Sequence, residues 1–273
     1  MGAEGIILKS CDIPAVPMVA MRILGLVEEP GASVSDLQAI IMGDQALSAR
    51  VLRMANSAYY GLRREIETVS EAIMVMGFDA IKNLALAVST RDAYKRFGLL
   101  EQRMWEHSIG VSVAAGLVAR ETGAMRPEEA VMAGLLHDVG KVVMNNCEPE
   151  KFQMLTERVF EEDVPYAEVE REVFGFSHEE AGGLFASRWG LPGMLCDVIQ
   201  RHHSCGEAGG PPCRVVALAD TMCLKLGIGY RAPLQSVDET GPREALGISG
   251  ERLAALRESF RQAYLREKML YQA

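Results

Sequence analysis

The feature that most constrains this chain is residues 135–141, where a histidine and an aspartate follow an apolar run. The run from 131 to 136 is apolar on nearly all sides, which predicts a buried helix. A buried polar group without a partner costs about 1–3 kcal/mol, and a charged group costs more. His137 and Asp138 therefore need partners inside the protein. A divalent transition metal would satisfy both, because neutral imidazole and carboxylate are ordinary ligands for such ions.

The other histidines support the same interpretation. The chain contains 5 histidines, and all of them lie in segments whose pattern predicts helix: His107, His137, His178, His202 and His203. Asp220 lies in a further apolar segment that predicts helix, and Lys141 follows Asp138 by about one helical turn, so it can face the same cavity. A single buried histidine is more often a hydrogen-bonded structural residue than a ligand. Several of them, with two aspartates in apolar helices, favour a metal site.

Composition predicts an all-α protein. The 273 residues suffice for a large core, 49% of them are hydrophobic and only 6% are aromatic. Ala, Leu, Met, Glu and Arg dominate, which favours helix. No apolar run is long enough to span a bilayer and no secretory signal pattern opens the chain, so a cytoplasmic protein without membrane contact is expected. The 6 cysteines form no compact framework and are expected to be reduced.

Charge argues against broad nucleic-acid binding. The formal net charge is −9, whereas such binding needs a cationic surface that displaces counterions. Arg50, Arg53, Arg63 and Arg64 surround a pair of short predicted helices, so a helix-turn-helix is a weaker alternative to a packed corner with a solvated basic face. A small anionic ligand remains compatible with the charge, because a metal pair and one lysine supply local positive charge.

Local signals predict the helices and their boundaries. Ser33 or Ser35 caps a helix that reaches residue 42, and a long helix is expected over 78–97. Pro165 opens a helix over 166–174, and Ser177 with Glu180 forms a capping box for the next. Residues 98–102 mark a soft seam. We therefore expect an amino-terminal bundle over 1–100, a second helical half over 101–228 with the candidate site, and a loop and docking helix over 229–273.

The order of the candidate ligands resembles that of the HD-domain phosphohydrolases, and most closely their HD-GYP branch. The first ninety residues contain three further motif segments: Ile13–Pro17, Arg53–Gly61 with its Asn-Ser-Ala-Tyr-Tyr-Gly segment, and Glu71–Gly77. These segments are similar to the signature of a narrower group, the HDOD family of bacterial signalling proteins. The resemblance covers about residues 10–225 and implies a multi-helix HD/HDOD bundle of two tightly packed helical halves. Tyr59 and Tyr60 are interpreted as a structural corner rather than as a stacking platform for a ligand.

The HD-GYP resemblance implies how the ligands are shared between two metals. One ion would be held by His107, His137, Asp138 and Asp220, and the other by Asp138, His178, His202 and His203. Asp138 and Lys141 would be the catalytic residues, with Lys141 neutralising phosphate oxygens. Nitrogen and carboxylate ligands favour iron or manganese, with zinc possible. Some relatives bind a third metal through a glutamate where this chain has Arg103, so two metals are the expected ceiling.

The resemblances lead to two main functional hypotheses. The residues after His203 lack the Gly-Tyr-Pro motif, and many HDOD proteins are thought to be non-catalytic. The favoured hypothesis is a cytoplasmic signalling module that senses a phosphate-containing ligand at its metal site or acts through protein partners. The alternative is a metal-dependent phosphodiesterase or phosphohydrolase acting on a nucleotide or cyclic dinucleotide. Regulation through nucleic acid is the weakest hypothesis.

Overall fold

The computed structural model describes residues 33–56, 65–91, 93–205, 209–229 and 237–271, preceded by helical residues 19, 22, 23, 25 and 26. The predicted signature at 13–17, residues 57–61 of the Asn-Ser-Ala-Tyr-Tyr-Gly segment, and the basic residues Arg63 and Arg64 lie outside the described residues. The interpretation of Tyr59 and Tyr60 as a structural corner therefore stays a prediction.

All regular structure in the described part of the chain is α-helix, which confirms the all-α prediction. The first four helices are α1 (Val34–Met42), α2 (Gln45–Ala55), α3 (Val69–Met76) and α4 (Phe78–Arg91). Five follow before the second histidine-rich region: α5 (Leu99–Thr122), α6 (Pro127–Leu136), α7 (Val139–Cys147), α8 (Pro149–Glu162) and α9 (Tyr166–Phe174). The last are α10 (His178–Arg188), α11 (Gly193–Arg201), α12 (Pro211–Lys225), α13 (Thr240–Ala245) and α14 (Gly250–Tyr271).

The contacts divide the chain into two compact units, one containing residues 94–261 and the other 15–93 with 262–273. In the second of these units, α2, α3 and α4 pack against one another and α1 packs on α2. Ser33 caps α1 and forms a capping box with Asp36, as one of the two alternatives predicted. The predicted domain boundaries at 100 and 228 stay a prediction.

Asn56 has a structural role in the same unit, because its side chain hydrogen-bonds to backbone groups. Its side-chain amide donates to the carbonyl oxygens of Leu52 and Ile66 at 3.0 and 2.7 Å. Its side-chain oxygen accepts from the Ile66 amide at 2.6 Å. Asn56 therefore satisfies backbone groups at the end of α2 and in the segment that returns toward α3, which suits an amide that offers both a donor and an acceptor.

The helix predicted over 78–97 is shorter than expected, because α4 ends at Arg91. Beyond it, Ala93 donates to the carbonyl of Thr90, and the Lys95 amide donates to the side-chain oxygen of Asn146 at 2.9 Å. That bond to Asn146 replaces a helical bond. A tertiary partner fifty residues away cannot be read from local propensity, which explains the misplaced boundary.

The larger unit is built around α5, the long helix that carries His107. It packs along α6 and α12, while α10 packs against α7 and α11. Gly134 permits the close approach of α6, since a Cβ there would lie 2.8 Å from the Cα of Ser112. A side chain at this position would separate the two helices and move the segment that carries His137 and Asp138.

Two further expectations concern membranes and cysteines. Among the described helices, none is both long and apolar enough to cross a membrane. Cys196, Cys205, Cys213 and Cys223 are free thiols. Cys147 is disulfide-bonded, so the expectation that all cysteines are reduced is wrong for this residue. Cys147 is the last residue of α7 and follows a buried stretch of that helix. The spacing of the cysteines in the sequence gives no sign of its partner.

Candidate metal centre

The structure brings all seven candidate ligands into one cluster within the larger unit. His107 lies in the middle of α5, His178 is the first residue of α10, and Asp220 lies on α12. His202 is the C-cap of α11 and is followed by His203. Six of the seven are more than nine-tenths buried; His203 is the exception, with 31% of its side chain exposed.

His137 and Asp138 lie between two helices rather than inside one. α6 ends at Leu136, His137 is its C-cap, and Asp138 is the N-cap of α7. The interpretation of this pair as part of one continuous helix is therefore wrong. The bend follows from packing: α7 crosses α10 so closely that a Cβ on Gly140 would lie 1.9 Å from the carbonyl oxygen of His178.

Asp138 is the centre of the cluster, and its two oxygens face different histidines. Its Oδ1 lies 3.4 Å from His178 Nε2 and 3.6 Å from His202 Nε2. Its Oδ2 lies 3.4 Å from His137 Nε2 and 3.8 Å from His107 Nε2. One carboxylate thus stands between two groups of imidazoles, which is the arrangement that a bridging ligand requires.

We call the two groups site A and site B. Site A comprises Asp138, His178, His202 and His203, whose potential ligand atoms all lie within 4.8 Å of one another. Site B comprises Asp138, His107 and His137 under the same limit, together with Asp220. The Oδ1 atom of Asp220 is 2.9 Å from His107 Nε2 and 3.9 Å from His137 Nε2.

The supporting hydrogen bonds fix which ring nitrogen carries the proton. The Nδ1 atoms of His107, His137 and His202 each face a backbone carbonyl, of Ile228, Gly134 and Ile199 respectively, at 3.2, 2.7 and 3.2 Å. His178 Nδ1 faces the Glu170 carboxylate at 2.6 Å. Carbonyl oxygens only accept, so Nδ1 donates in His107, His137 and His202, and the Nε2 atoms of these rings face the cluster.

The Nε2 atoms of four histidines therefore converge on the carboxylates of Asp138 and Asp220. His178 Nε2 lies 3.2 Å from His202 Nε2, and His107 Nε2 lies 2.9 Å from a carboxylate oxygen of Asp220. The buried atoms His137 Nε2 and Asp138 Oδ1 have no hydrogen-bond partner. Buried polar atoms without partners are costly, and a cation among them would satisfy both. The donor set fits divalent transition metals; that these residues bind metal stays a prediction.

Two glutamates that the sequence interpretation missed support site A. Glu170 is fully buried, and the same carboxylate oxygen also accepts from the His178 amide at 2.8 Å. Glu179 accepts from the His203 amide at 3.0 Å. A signal for Glu170 existed: it lies four residues after Tyr166 and four before Phe174, and both of these are buried. An acidic residue on that helix face indicates an internal partner.

Electrostatics separates the charged groups from the neutral ones. Burial alone would raise the pKa of Asp138, but His137 and Lys141 hold it well below its ordinary value. Burial alone would lower the pKa of Lys141, but Asp138, 2.8 Å from its ammonium group, raises it. Burial lowers the pKa of His178 well below its ordinary value and raises the pKa of Glu170 to about 7. Asp138 and Lys141 therefore form a buried ion pair beside neutral imidazole.

A cavity of about 560 Å³ opens onto the cluster. His202, His203 and Asp220 line its inner wall, and Lys141 and Arg214 contribute positive charge. The segment from Val237 to Ala245 lines part of its outer wall. This volume lies in the range of small-molecule sites, about 300–1,000 Å³. The cluster is therefore accessible to a ligand with anionic groups.

Comparison with known proteins agrees with this fold. The sequence model of the HDOD domain matches residues 13–205. A crystal structure of an HDOD domain protein of unknown function from Geobacter sulfurreducens shares 29% identity and a TM-score of 0.77, over 98% of this chain and 95% of that one. An uncharacterized protein of Treponema pallidum is 29% identical over 72% of this chain and 39% of its own length.

A third similarity is to a protein with a named activity. Ribonuclease Y of Fervidobacterium nodosum is 24% identical over 68% of this chain and 30% of its own length. The chain thus spans about two fifths or less of these two relatives. The resemblance of the ligand set to HD-GYP proteins stays a prediction.

Proposed function

This chain belongs to the HDOD family, and we propose that it is a signalling or regulatory protein that binds a phosphate-containing ligand at a dinuclear metal centre. The observation that carries the proposal is the convergence of four imidazole Nε2 atoms on the two oxygens of Asp138. Such a cluster is costly without cations and fits a pair of them. A ligand with phosphate oxygens fits the same place, because it can complete the coordination of both ions.

The residues would divide as follows. His178, His202 and His203 would hold one ion, His107, His137 and Asp220 the other, and Asp138 would bridge. Iron or manganese suits this mixture of nitrogen and oxygen donors best, with zinc as the next choice. When bound, such a pair supplies Lewis acidity and fixes the orientation of phosphate oxygens. His203, whose side chain is partly exposed at the cavity, is the ligand that lies nearest to solvent.

The positive groups of the cavity support an anionic ligand. Lys141 is held beside Asp138 at 2.8 Å, 4.2 Å from the centre of the Tyr166 ring, so its ammonium group is fixed in position. Arg214 lines the same cavity. A fixed lysine and a guanidinium group bind phosphate well, and burial strengthens their effect. A nucleotide or a cyclic dinucleotide would fit the chemistry of this cavity.

The second candidate function is a metal-dependent phosphohydrolase. The specific observation in its favour is that Lys141, which lines the cavity, forms an ion pair at 2.8 Å with the shared Asp138. In such a reaction Lys141 would neutralise charge that develops on the phosphate oxygens, which is a large contribution in many active sites. Similarity to Ribonuclease Y is consistent with phosphodiester chemistry in a relative, at 24% identity.

Elemental analysis of the purified chain tests the metal centre. We expect two transition metal ions per chain and less than one in Asp138→Ala, because that substitution removes the shared ligand. Asp197→Ala is the matched control, since this aspartate is 69% exposed and lies outside the cluster. A wild-type protein that takes up no iron, manganese or zinc would refute the proposal.

Binding and turnover distinguish the two functions. Manganese-loaded protein is titrated with cyclic di-GMP, GMP and inorganic phosphate, and product formation is followed in the same samples. Binding without turnover supports the signalling module; turnover that disappears in Lys141→Gln supports the hydrolase. Lys151→Gln is the control, because this exposed lysine lies outside the residues that line the cavity. If none of the three probes binds or reacts, both candidate functions are wrong for these ligands.

The cytoplasmic location and the protein partners are part of the same proposal. A regulatory module without other chemistry would act through partners, so we expect co-purification of a specific protein in a tagged pull-down from the source cells. Broad DNA binding is not expected at a net charge of −9. Salt-dependent retention of the chain on duplex DNA would contradict this and would direct attention to Arg50 and Arg53.

A further inference from the structure

Two of the free cysteines lie in contact at the edge of the metal cluster. The sulfurs of Cys205 and Cys213 are 2.6 Å apart, about half an ångström more than a disulfide bond of about 2.05 Å. Cys205 follows His203 by two residues, and Cys213 lies in the first turn of α12, which also carries Asp220. The two sulfurs thus bring the segment that carries His202 and His203 into contact with the helix that carries Asp220.

The surrounding backbone holds the sulfurs together. Gly209 donates its amide hydrogen to the carbonyl of Cys205 at 3.1 Å, and a Cβ on Gly209 would lie 2.3 Å from that oxygen. Both thiols point at the end of α11: Cys205 donates to Arg201 and His202 carbonyls at 3.3 Å, and Cys213 donates to the Arg201 carbonyl at 3.2 Å. Closing the bond therefore needs no large movement.

We propose that Cys205 and Cys213 are a reversible redox modification site, which a hydroperoxide converts to a disulfide. The two thiols differ in access. Cys205 is partly exposed and lines the cavity, whereas Cys213 is 3% exposed. Cys205 therefore reacts first and Cys213 resolves the product.

The chemistry balances with hydrogen peroxide as the oxidant. The Cys205 thiol takes one oxygen, which breaks the O–O bond and gives a sulfenic acid and one water. The Cys213 sulfur then attacks the Cys205 sulfur, so the S–S bond forms as the S–O bond breaks. The proton of Cys213 leaves with the hydroxyl group as a second water. Two electrons pass from the thiols to peroxide, and a dithiol reductant reverses the reaction.

Oxidation changes the support of the neighbouring turn. A disulfide has no S–H group, so the carbonyls of Arg201 and His202 lose the donors that the thiols provide. In exchange, a covalent bond joins the residues just after His203 to the start of α12. Protein contacts set the positions of both sulfurs, so the formation of this disulfide does not depend on a bound metal.

Peptide mapping tests the proposal directly. The full chain, with and without a chelator, is treated with hydrogen peroxide, alkylated under denaturing conditions and digested. We expect a peptide pair crosslinked through Cys205 and Cys213, a loss of two thiols relative to untreated protein, and full return of both thiols with dithiothreitol. The disulfide of Cys147 is mapped separately in the same digest.

Three variants identify the order of events. Cys213→Ser should leave a sulfenic acid on Cys205 that dimedone traps, while Cys205→Ser should leave Cys213 largely unreacted. Cys196→Ser, which removes another free and partly exposed thiol, should form the crosslink as the wild type does. Absence of the Cys205–Cys213 crosslink in peroxide-treated wild type would overturn the proposal, as would a sulfenic acid that forms first on Cys213.

Discussion

Sites A and B share Asp138, yet the protein supports them by different means. Site A has three histidines, one of them oriented by the carboxylate of Glu170, and it lines the cavity with His202 and His203, whereas site B reaches the cavity through Asp220. Site B has two histidines whose Nδ1 atoms donate to backbone carbonyls, and its second carboxylate is itself a ligand candidate. Apart from the shared Asp138, the carboxylate of site A (Glu170) therefore lies behind a ligand, whereas that of site B (Asp220) lies among the ligands. Site A should therefore depend on residues outside the cluster more than site B does.

Removing one ligand that the sites do not share should give the largest separation between them. His178→Ala removes a nitrogen ligand from site A alone, so we expect one metal ion per chain to be lost and the other retained. Asp220→Ala should do the same for site B. The measurement is metal content by elemental analysis after dialysis at fixed free manganese. Loss of both ions in either variant would show that the sites fill as a unit and are not supported independently.

Two glycines offer a matched test through the backbone. A Cβ at Gly140 would meet the carbonyl oxygen of His178, and a Cβ at Gly229 would lie 2.6 Å from the amide nitrogen of His107. Gly229 also has a φ of 79°, which disfavours any side chain. We expect each alanine variant to lower the free energy of unfolding by about 2–3 kcal/mol.

The affected site should differ between these variants. Gly140→Ala should weaken metal binding in site A first, and Gly229→Ala should weaken site B first. Denaturant unfolding and two-step manganese titration measure both effects. Gly193→Ala is the control, because a Cβ there meets nothing within 4 Å; equal loss in both sites for either variant would contradict the assignment.

Glu170→Gln should weaken site A by about 10- to 100-fold, the usual effect of removing a carboxylate behind a ligating histidine. The glutamine amide fills the same space as the carboxylate, but it lacks the negative charge that stabilises the proton on His178 Nδ1. Manganese titration should show the change in one of the two binding steps only. Glu172→Gln, at an exposed position that is 60% accessible, should leave both steps unchanged. An unaffected Glu170→Gln protein would remove the proposed asymmetry.

The pH dependence of the metal-free wild-type protein should be the smallest of these effects. The pKa of His178 is lowered by burial, so stability falls as the pH decreases below about 6.5, where the unfolded chain takes up a proton that the folded one does not. The pKa of Glu170 is raised to about 7, so stability rises as the pH decreases from 7 toward 4.5. These contributions oppose each other.

Removing the glutamate should expose the histidine contribution. Between pH 6.5 and 4.5 we expect Glu170→Gln to lose stability relative to wild type by about 1.4 kcal/mol per pH unit. Site B behaves differently. The pKa of Asp220 is lowered in the folded protein, so its carboxylate stabilises the fold above about pH 3.8 and this stabilisation is lost only at lower pH. Urea unfolding in a chelator across pH 4 to 7 measures the difference, and parallel curves for the two proteins would contradict it.

Much of the helical framework was predictable, because its signals are local. Pro165 does open a helix over Tyr166–Phe174, and Ser177 with Glu180 does form the predicted capping box. The end of α4 and the bend at His137 were not predictable. Both depend on contacts with distant groups, namely the side chain of Asn146 and the carbonyl of His178. Local propensity carries no information about such partners.

The all-helical class, the family and the seven candidate ligands could be inferred from composition, motif segments and the need of buried imidazoles and carboxylates for partners. The packing of the helices fixes how these residues meet: Asp138 turns one oxygen to each group of histidines, and Glu170 lies behind His178. It also placed the sulfurs of Cys205 and Cys213 together. Distances between helices are set by packing, and Gly140 permits a close approach that a Cβ, 1.9 Å from the His178 carbonyl oxygen, would prevent.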